Sequence, residues 1–109
     1  MDKYIIVTTL CDKEEVANEI INSLLEKRLV AGSQVAKVHS KYWWNNKLEE
    51  CDEYKLEFRT KASLFEKIKK EIKEIHDYEV AEISCYEINN ASKEILQWIE
   101  ENTKQHNRI

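Results

Sequence analysis

The stretch YWWNNKLEECDEYKLEFR, residues 42–59, decides the fold, because it has the pattern of the tip and one arm of a long β-hairpin. Asn45 and Asn46 form the predicted turn, since asparagine tolerates positive φ nearly as well as glycine does. The residues that follow alternate between an apolar and a charged face, as a half-buried strand requires. The arms span about 30–44 and 47–59, whereas a typical strand has about five or six residues. A hairpin this long leaves a free edge that needs a partner.

The segments on either side predict further strands and helices. The apolar, β-branched run at 3–10 is typical of a buried central strand. A helix is expected to begin at Asp12, which resembles a capping box with Glu15, and to end near 27–29. The remaining elements are a helix over 62–75, a strand over 82–88 and a helix that begins near Ser92.

The order β-α-β-β-α-β-α predicts an α+β, ferredoxin-like fold with an antiparallel sheet and an added C-terminal helix. We expect the helices to cover one face of the sheet, with Ile95, Leu96 and Ile99 of the last helix turned inward. A self-associating dimer or trimer would then cover the other face and the long hairpin. Residues 1–109 are expected to form a single domain, with a polar tail over 103–109 that frays.

Composition excludes several functions. One glycine and no proline among 109 residues leave no room for the glycine-rich loops that bind phosphates in nucleotide enzymes. The net charge of −4 argues against a nucleic-acid partner, which requires clustered Lys and Arg. No apolar run approaches the roughly 18 residues of a membrane span, so no membrane partner is expected. Three widely spaced cysteines and the lack of a signal-peptide core after Met1 predict a cytoplasmic protein.

The cysteines and isolated histidines differ in their expected surroundings. Cys11 lies where the first strand meets a helix N-terminus, a position that lowers a thiol pKa, so it is the best reactive or soft-metal candidate. Cys51 stands among carboxylates that disfavour a thiolate, and Cys85 is expected to be packed. His39 is expected on a solvated face, and His106 falls in the polar tail.

The aromatic run Tyr42, Trp43 and Trp44 alternates between the two faces of its strand. We interpret it as part of a subunit interface, where large aromatic side chains are enriched. Packing onto the chain's own helices is the alternative. The acidic charge balance argues against a third use, the stacking of nucleic-acid bases.

Several segments together resemble the CutA family of divalent-cation tolerance proteins. They are VTTLCDKEEVA at 7–17, LLEKRLVA at 24–31, YWWNNKLEE at 42–50, FRT at 58–60, HDYEVAEI at 76–83 and ILQWIEEN at 95–102. They occur in the family's order and at its spacing. The resemblance implies a ferredoxin-like subunit in a tight homotrimer, a role in tolerance of divalent metal ions, and no established catalytic reaction.

The chain also departs from the family's pattern. The substituted positions are Gly32 for a cysteine, Asn45 and Asn46 for a Glu-Gly turn, and Asp77 and Ala81 for two prolines. Thr8 stands where some members have a cysteine that contributes to copper binding. Of the copper ligands suggested for the family, His76 is clearly retained.

The resemblance implies a candidate site at the polar and aromatic positions of its two most specific motifs, which meet in clefts between the family's subunits. The expected cleft residues are Trp44, Lys47, Glu49, Arg59 and Tyr78. The expected metal ligands are His76, Glu79, Glu82 and Cys11, whose donor groups suit a borderline divalent cation such as Cu²⁺. The charged residues equally predict an ion-paired network that fixes the trimer. The nearby Lys47 and Arg59 favour an anionic ligand over a cation.

Two functions follow from these features. The first is a non-enzymatic trimeric protein of metal-ion homeostasis that binds divalent cations, copper among them, weakly at a subunit cleft. The alternative is a signalling module similar to PII-type trimers, with a small anionic metabolite between subunits. An enzyme on the same fold, such as an acylphosphatase, is disfavoured because the chain lacks its glycine-rich anion loop.

Overall fold

The computed structural model describes residues 3–104 and has the predicted order of elements. The strands are β1 (Tyr4–Cys11), β2 (Gly32–Trp44), β3 (Lys47–Lys61) and β4 (Ile83–Glu87). The helices are α1 (Glu14–Glu26), α2 (Phe65–Ile75) and α3 (Lys93–Asn102), with one 3₁₀ turn (Ala62–Leu64) before α2. None of the helices in this part of the chain is long and apolar enough to cross a membrane.

The four strands form one antiparallel sheet in the order β2-β3-β1-β4, which is the ferredoxin-like arrangement. The two central strands pair from Tyr4 opposite Lys61 to Cys11 opposite Tyr54. The β2-β3 hairpin has 13 and 15 residues in its arms and pairs from Gly32 to its tip. The predicted α+β fold and long hairpin are therefore confirmed.

Asn45 and Asn46 close the hairpin in the predicted turn. Their φ angles are 51° and 63°, and the flanking residues Trp44 and Lys47 are directly paired. Two successive positive φ angles define a type I′ turn, whose twist matches that of the strands. This turn sets the register of the whole hairpin, because every cross-strand pair follows from it by counting.

The core lies between the sheet and the pair α1 and α2. Alternate residues of the central strands face these helices, and the largest of them, Phe58 and Leu56, are fully buried. The helices contribute a stripe of buried aliphatic side chains, consisting of Ile20, Leu24, Ile68 and Ile72. Burial of such side chains from water is the main favourable term for this fold.

The ends of α1 differ from the prediction. Lys13 rather than Asp12 is the N-cap, and no side chain caps the helix, so the predicted capping box is wrong. The Asp12 carboxylate lies 3.7 Å from the Lys13 ammonium and accepts no hydrogen bond from the N-terminus of the helix. At the other end Arg28 takes a left-handed conformation with φ of 57°. Backbone bonds from Arg28 to Leu25 and from Leu29 to Leu24 then form a Schellman motif without glycine.

Helix α3 packs on the opposite face of the sheet from α1 and α2, so the expectation that all helices share one face is wrong. Glu100 accepts hydrogen bonds from Tyr4 and from the buried Lys61, and both donors lie on that second face. The Trp98 indole lies over Gly32, where a side chain would collide with it. These two attachments direct the helix to this face.

The outer turn of α3 is less buried than predicted. Ile99 is buried, but Ile95 is 43% exposed because α3 covers one end of the face rather than its whole length. The start of the polar tail is anchored rather than frayed: Thr103 is buried and donates to the Ile99 carbonyl. The backbone N–H of Lys104 donates to the Arg28 carbonyl. His106 and the rest of the predicted tail lie outside the described residues.

Candidate functional site

His76 follows α2 directly and is held by both of its ring nitrogens. Its Nε2 donates to the Leu10 carbonyl over 2.6 Å, and its Nδ1 accepts from the Tyr78 backbone N–H over 3.1 Å. These partners require the neutral imidazole that carries its proton on Nε2. With its side chain 1% exposed and both ring nitrogens in hydrogen bonds, His76 offers no free lone pair to a metal ion in this subunit. A cation would have to break one of these bonds, and the role of His76 as a ligand stays a prediction.

Tyr78 forms a partly buried hydrogen bond with the hairpin. Its hydroxyl donates to Glu53 over 2.6 Å, and its ring lies 4.6 Å from the His76 ring, between centroids. Burial and the Glu53 carboxylate raise the pKa of the Tyr78 hydroxyl far above its usual range. The segment after α2 is thereby fixed to both β1 and β3. Tyr78 thus has a positioning role in the described subunit.

Asp77, at a position where the resemblance implies a proline, lies at the edge of this network, with its Oδ1 3.7 Å from the His76 Nδ1. Its carboxylate lies 2.6 Å from the Lys13 ammonium at the start of α1. That contact lowers the pKa of Asp77 and raises the pKa of Lys13. The ion pair ties the two junctions together at the surface.

Cys11 does not have the activated thiol that its position predicts. It is fully buried, and its Sγ lies 3.8 Å from the Lys13 carbonyl. Burial, followed by the charges of Asp12, Asp77 and Glu53, raises the pKa of the thiol to about 11. The expected lowering of its pKa is wrong, because carboxylates and burial outweigh the helix N-terminus. A thiol protonated at neutral pH is a poor metal ligand.

Glu79 and Glu82, the other predicted ligands, are exposed on the surface. Glu82 lies 3.5 Å from the Ser84 hydroxyl, and His76 points into the interior. Among residues 3–104 of one subunit, no three His, Cys, Asp or Glu side chains are grouped to hold a metal ion. The subunit does not bring the four predicted ligands together.

Four of the five predicted cleft residues are distributed along the hairpin, and the fifth, Tyr78, follows α2. Trp44 and Lys47 pair at its tip, and Glu49 pairs with Tyr42 nearby. Arg59 lies at the opposite end of β3, about 40 Å from Lys47 at roughly 3.3 Å per residue. Its Nη1 is buried without a hydrogen-bond partner among the described residues. A single subunit therefore does not assemble this set either.

The aromatic residues of the tip do not pack onto the chain's own helices. Trp43 is 70% exposed and Tyr42 is 41% exposed. The Tyr42 hydroxyl lies 3.6 Å from the Cys51 Sγ, and this contact raises the pKa of Tyr42 to about 12. Cys85 was expected to be packed, but it is exposed because β4 is an edge strand.

His39 is exposed as predicted, yet it is not isolated. Its Nδ1 lies 2.7 Å from Asp52 and its Nε2 lies 3.3 Å from Glu50. The hydrogen bond to Asp52 raises the pKa of the imidazole. Counting outward from the Asn45-Asn46 turn places His39 opposite Asp52, so the sequence held the signal for this contact.

The sequence of this chain is similar to those of known proteins. Residues 5–102 match the sequence model of a family described as CutA1 divalent ion tolerance protein. The divalent-cation tolerance protein CutA of Pyrococcus horikoshii is 34% identical over 101 residues, which cover 93% of this chain and 99% of that protein.

Two solved structures share the fold. The crystal structure of CutA1 from Pyrococcus horikoshii has a TM-score of 0.87 at 33% identity, covering 93% of this chain and 99% of that one. The periplasmic divalent cation tolerance protein CutA from Archaeoglobus fulgidus has a TM-score of 0.90 at 29% identity, with the same coverage of both chains. These similarities do not favour the alternative of a signalling module.

Proposed function

Since this chain belongs to the CutA1 divalent ion tolerance family, we propose that it acts in the tolerance of divalent metal ions as a non-enzymatic homotrimer. The main support for this proposal is that residues 5–102 match the sequence model of the family. This range spans the hairpin, the His76 segment and α3.

The second face of the sheet supports self-association. Helix α3 covers one end of this face, and the long hairpin extends beyond it. By the alternation of β2, Tyr42 and Trp44 lie on the face of Gly32, and about two fifths of each side chain is exposed.

Surface carboxylates are the proposed cation ligands. Glu79 and Glu82 are exposed, whereas His76 is occupied by two hydrogen bonds and Cys11 is a buried, protonated thiol. In the proposed trimer these carboxylates meet Glu49 of a neighbouring hairpin in the cleft. Carboxylate oxygens without imidazole or thiolate bind hard divalent cations better than soft ones, so weak binding of several cations is expected rather than tight binding of copper.

Calorimetry with Mn²⁺ as a hard cation and with Cu²⁺, Zn²⁺ and Cd²⁺ as softer ones tests the ligand assignment. We expect Glu79→Gln/Glu82→Gln to weaken cation binding by about threefold or more, since lost carboxylate ligands lower affinity for such ions. The matched control Glu14→Gln/Glu19→Gln, on exposed positions of α1, should leave it unchanged. Equal losses in both pairs would contradict the assignment.

Two further measurements separate the parts of this proposal. His76→Gln should lower the melting temperature while leaving cation affinity intact, because His76 positions its segment and does not bind the ion. The mass of one chain is 13.0 kDa, and light scattering at micromolar concentration should give three times this mass. A monomer at that concentration would overturn both the interface and the cleft.

We also propose a cytoplasmic location. Its support is that Cys11, Cys51 and Cys85 are all free thiols, which persist in reducing compartments. A relative from Archaeoglobus fulgidus is described as periplasmic. Cell fractionation decides between the two compartments.

A further inference from the structure

A surface cavity opens between the end of α1 and the outer side of α2, and no residue of the hairpin lines it. Its volume is about 410 Å³, within the range of about 300–1,000 Å³ typical of small-molecule sites. The residues that line it are Lys27, Leu29, Lys67, Lys70, Glu71, Glu74 and Lys104. The four lysines come from three segments that are distant in the sequence. The fold therefore brings them together.

The lining is basic in a chain that is acidic overall. Four lysines and two glutamates give the cavity an excess of two positive charges, whereas the net charge of the chain is −4. The negative charge of Glu71 is already balanced, because the Lys27 ammonium lies 2.6 Å from its carboxylate and the Ser23 hydroxyl donates to it. These two contacts lower the pKa of Glu71. Glu74 is the remaining acidic group.

Three of the four lining lysines have no ion pair. Lys67, Lys70 and Lys104 have no ion pair or side-chain hydrogen bond with a described residue. Outside the cavity, six of the ten described lysines lie within 4.0 Å of a carboxylate, namely Lys3, Lys13, Lys41, Lys55, Lys61 and Lys69. Uncompensated like charges that converge on one cavity repel one another, and an anion in that cavity relieves the repulsion.

The backbone fixes the relative positions of these segments. The Schellman motif turns the chain at Arg28 so that its carbonyl accepts the N–H of Lys104 over 2.9 Å. The same turn buries Leu29, which also lines the cavity. Lys67 and Lys70 are three residues apart on α2 and so lie on one side of that helix. The lysines at the end of α1, on α2 and after α3 thus share one rigid frame.

We propose that this cavity binds a polyvalent phosphate anion of the polyphosphate class. Lysine ammonium groups bind phosphate as compact point charges and do not require a fixed geometry. No aromatic side chain lines the cavity, so it offers no platform for a nucleobase and the phosphate chain alone is recognised. This site is separate from the proposed cation cleft and does not depend on it.

Calorimetry with sodium tripolyphosphate, in buffer free of divalent cations, tests the site on the full chain. Lys67→Gln/Lys70→Gln should weaken binding by about fivefold or more, because two of the charges that face the anion are lost. The matched control is Lys3→Gln/Lys93→Gln, which removes two exposed lysines that lie away from α2 and do not line the cavity. The control should change the affinity by less than about twofold, since remote surface charges are screened by salt.

A third variant is expected to tighten binding, and misfolding cannot explain a gain in affinity. Glu74→Gln removes the remaining acidic group and should tighten tripolyphosphate binding by about twofold. ATP should bind no more tightly than tripolyphosphate. At about 5 mM tripolyphosphate, even a weak site with a Kd near 1 mM is mostly filled. Absence of binding by the unmodified chain at this concentration would therefore overturn the proposal. Equal weakening by the two lysine pairs, or much tighter binding of ATP, would overturn it as well.

Discussion

Replacing Gly32 by alanine should destabilise the fold, although alanine is normally the better residue in a strand. A Cβ at this position would lie 2.7 Å from Cη2 of Trp98 and 3.5 Å from its Cζ2. The first distance is far below van der Waals contact, so either the indole or the strand must move.

Two opposing effects set the size of the change. Overpacking of a well-packed site costs about 1–3 kcal/mol, and the lower half applies here because Trp98 is 39% exposed and can tilt outward. Replacing glycine by alanine at an ordinary φ stabilises by about 0.4–1 kcal/mol through the unfolded chain. The clash therefore wins by about 1 kcal/mol, which corresponds to a melting temperature roughly 4–8 °C lower for a domain of this size.

The assay is a double-mutant cycle by thermal or urea unfolding at one fixed protein concentration. In a Trp98→Ala background the clash is gone, so Gly32→Ala should become stabilising by about 0.5 kcal/mol. A loss of the same size in both backgrounds would refute the reasoning, because the effect would then not pass through Trp98. A gain in the unaltered chain would refute it too.

Three other predictions concern single contacts. Arg28→Gly should raise the free energy of unfolding, measured with urea, by up to about 1 kcal/mol, because glycine adopts the left-handed conformation of this position without steric strain. A loss of stability would show that the arginine side chain contributes more than the strain costs. Tyr78→Phe should lower it by about 1–3 kcal/mol, because the buried Glu53 loses its donor, whereas Tyr86→Phe at an exposed site should change it little. The raised pKa of His39 means that its contribution to the free energy of unfolding is fully present below about pH 6.5 and is lost as pH rises through the folded-state pKa. His39→Gln should therefore flatten this part of the dependence of stability on pH. An unchanged pH dependence would contradict the prediction.

Local patterns predicted the elements because local physics determines them. The alternation of Tyr54, Leu56 and Phe58 matches the period of a strand, and the apolar stripes match that of a helix. Asn45 and Asn46 accept positive φ, so the turn and the pairing of His39 with Asp52 follow by counting. The termini of α1 were less predictable, since Asp12 has a choice between the helix N–H groups and the Lys13 ammonium.

The candidate site was predicted less well, because hydrogen-bond partners are not visible in sequence. His76 has the chemistry of a ligand, but the fold places a carbonyl of β1 and an N–H of its own segment on its two nitrogens. Cys11 has the position of an activated thiol, but burial among carboxylates reverses the direction of its pKa shift. Both outcomes depend on residues that are distant in the chain.

The sequence by itself determined the order of the elements, the hairpin and its register, and the family to which the chain belongs. These depend on periodicity, turn chemistry and motif spacing, which act over a few residues. The tertiary structure alone decided that α3 lies on the second face of the sheet, that His76 holds a segment in place, and that Lys67, Lys70 and Lys104 converge. Each of these requires groups that are far apart in sequence to meet in space, and their energies depend on burial and distance, which local patterns do not specify.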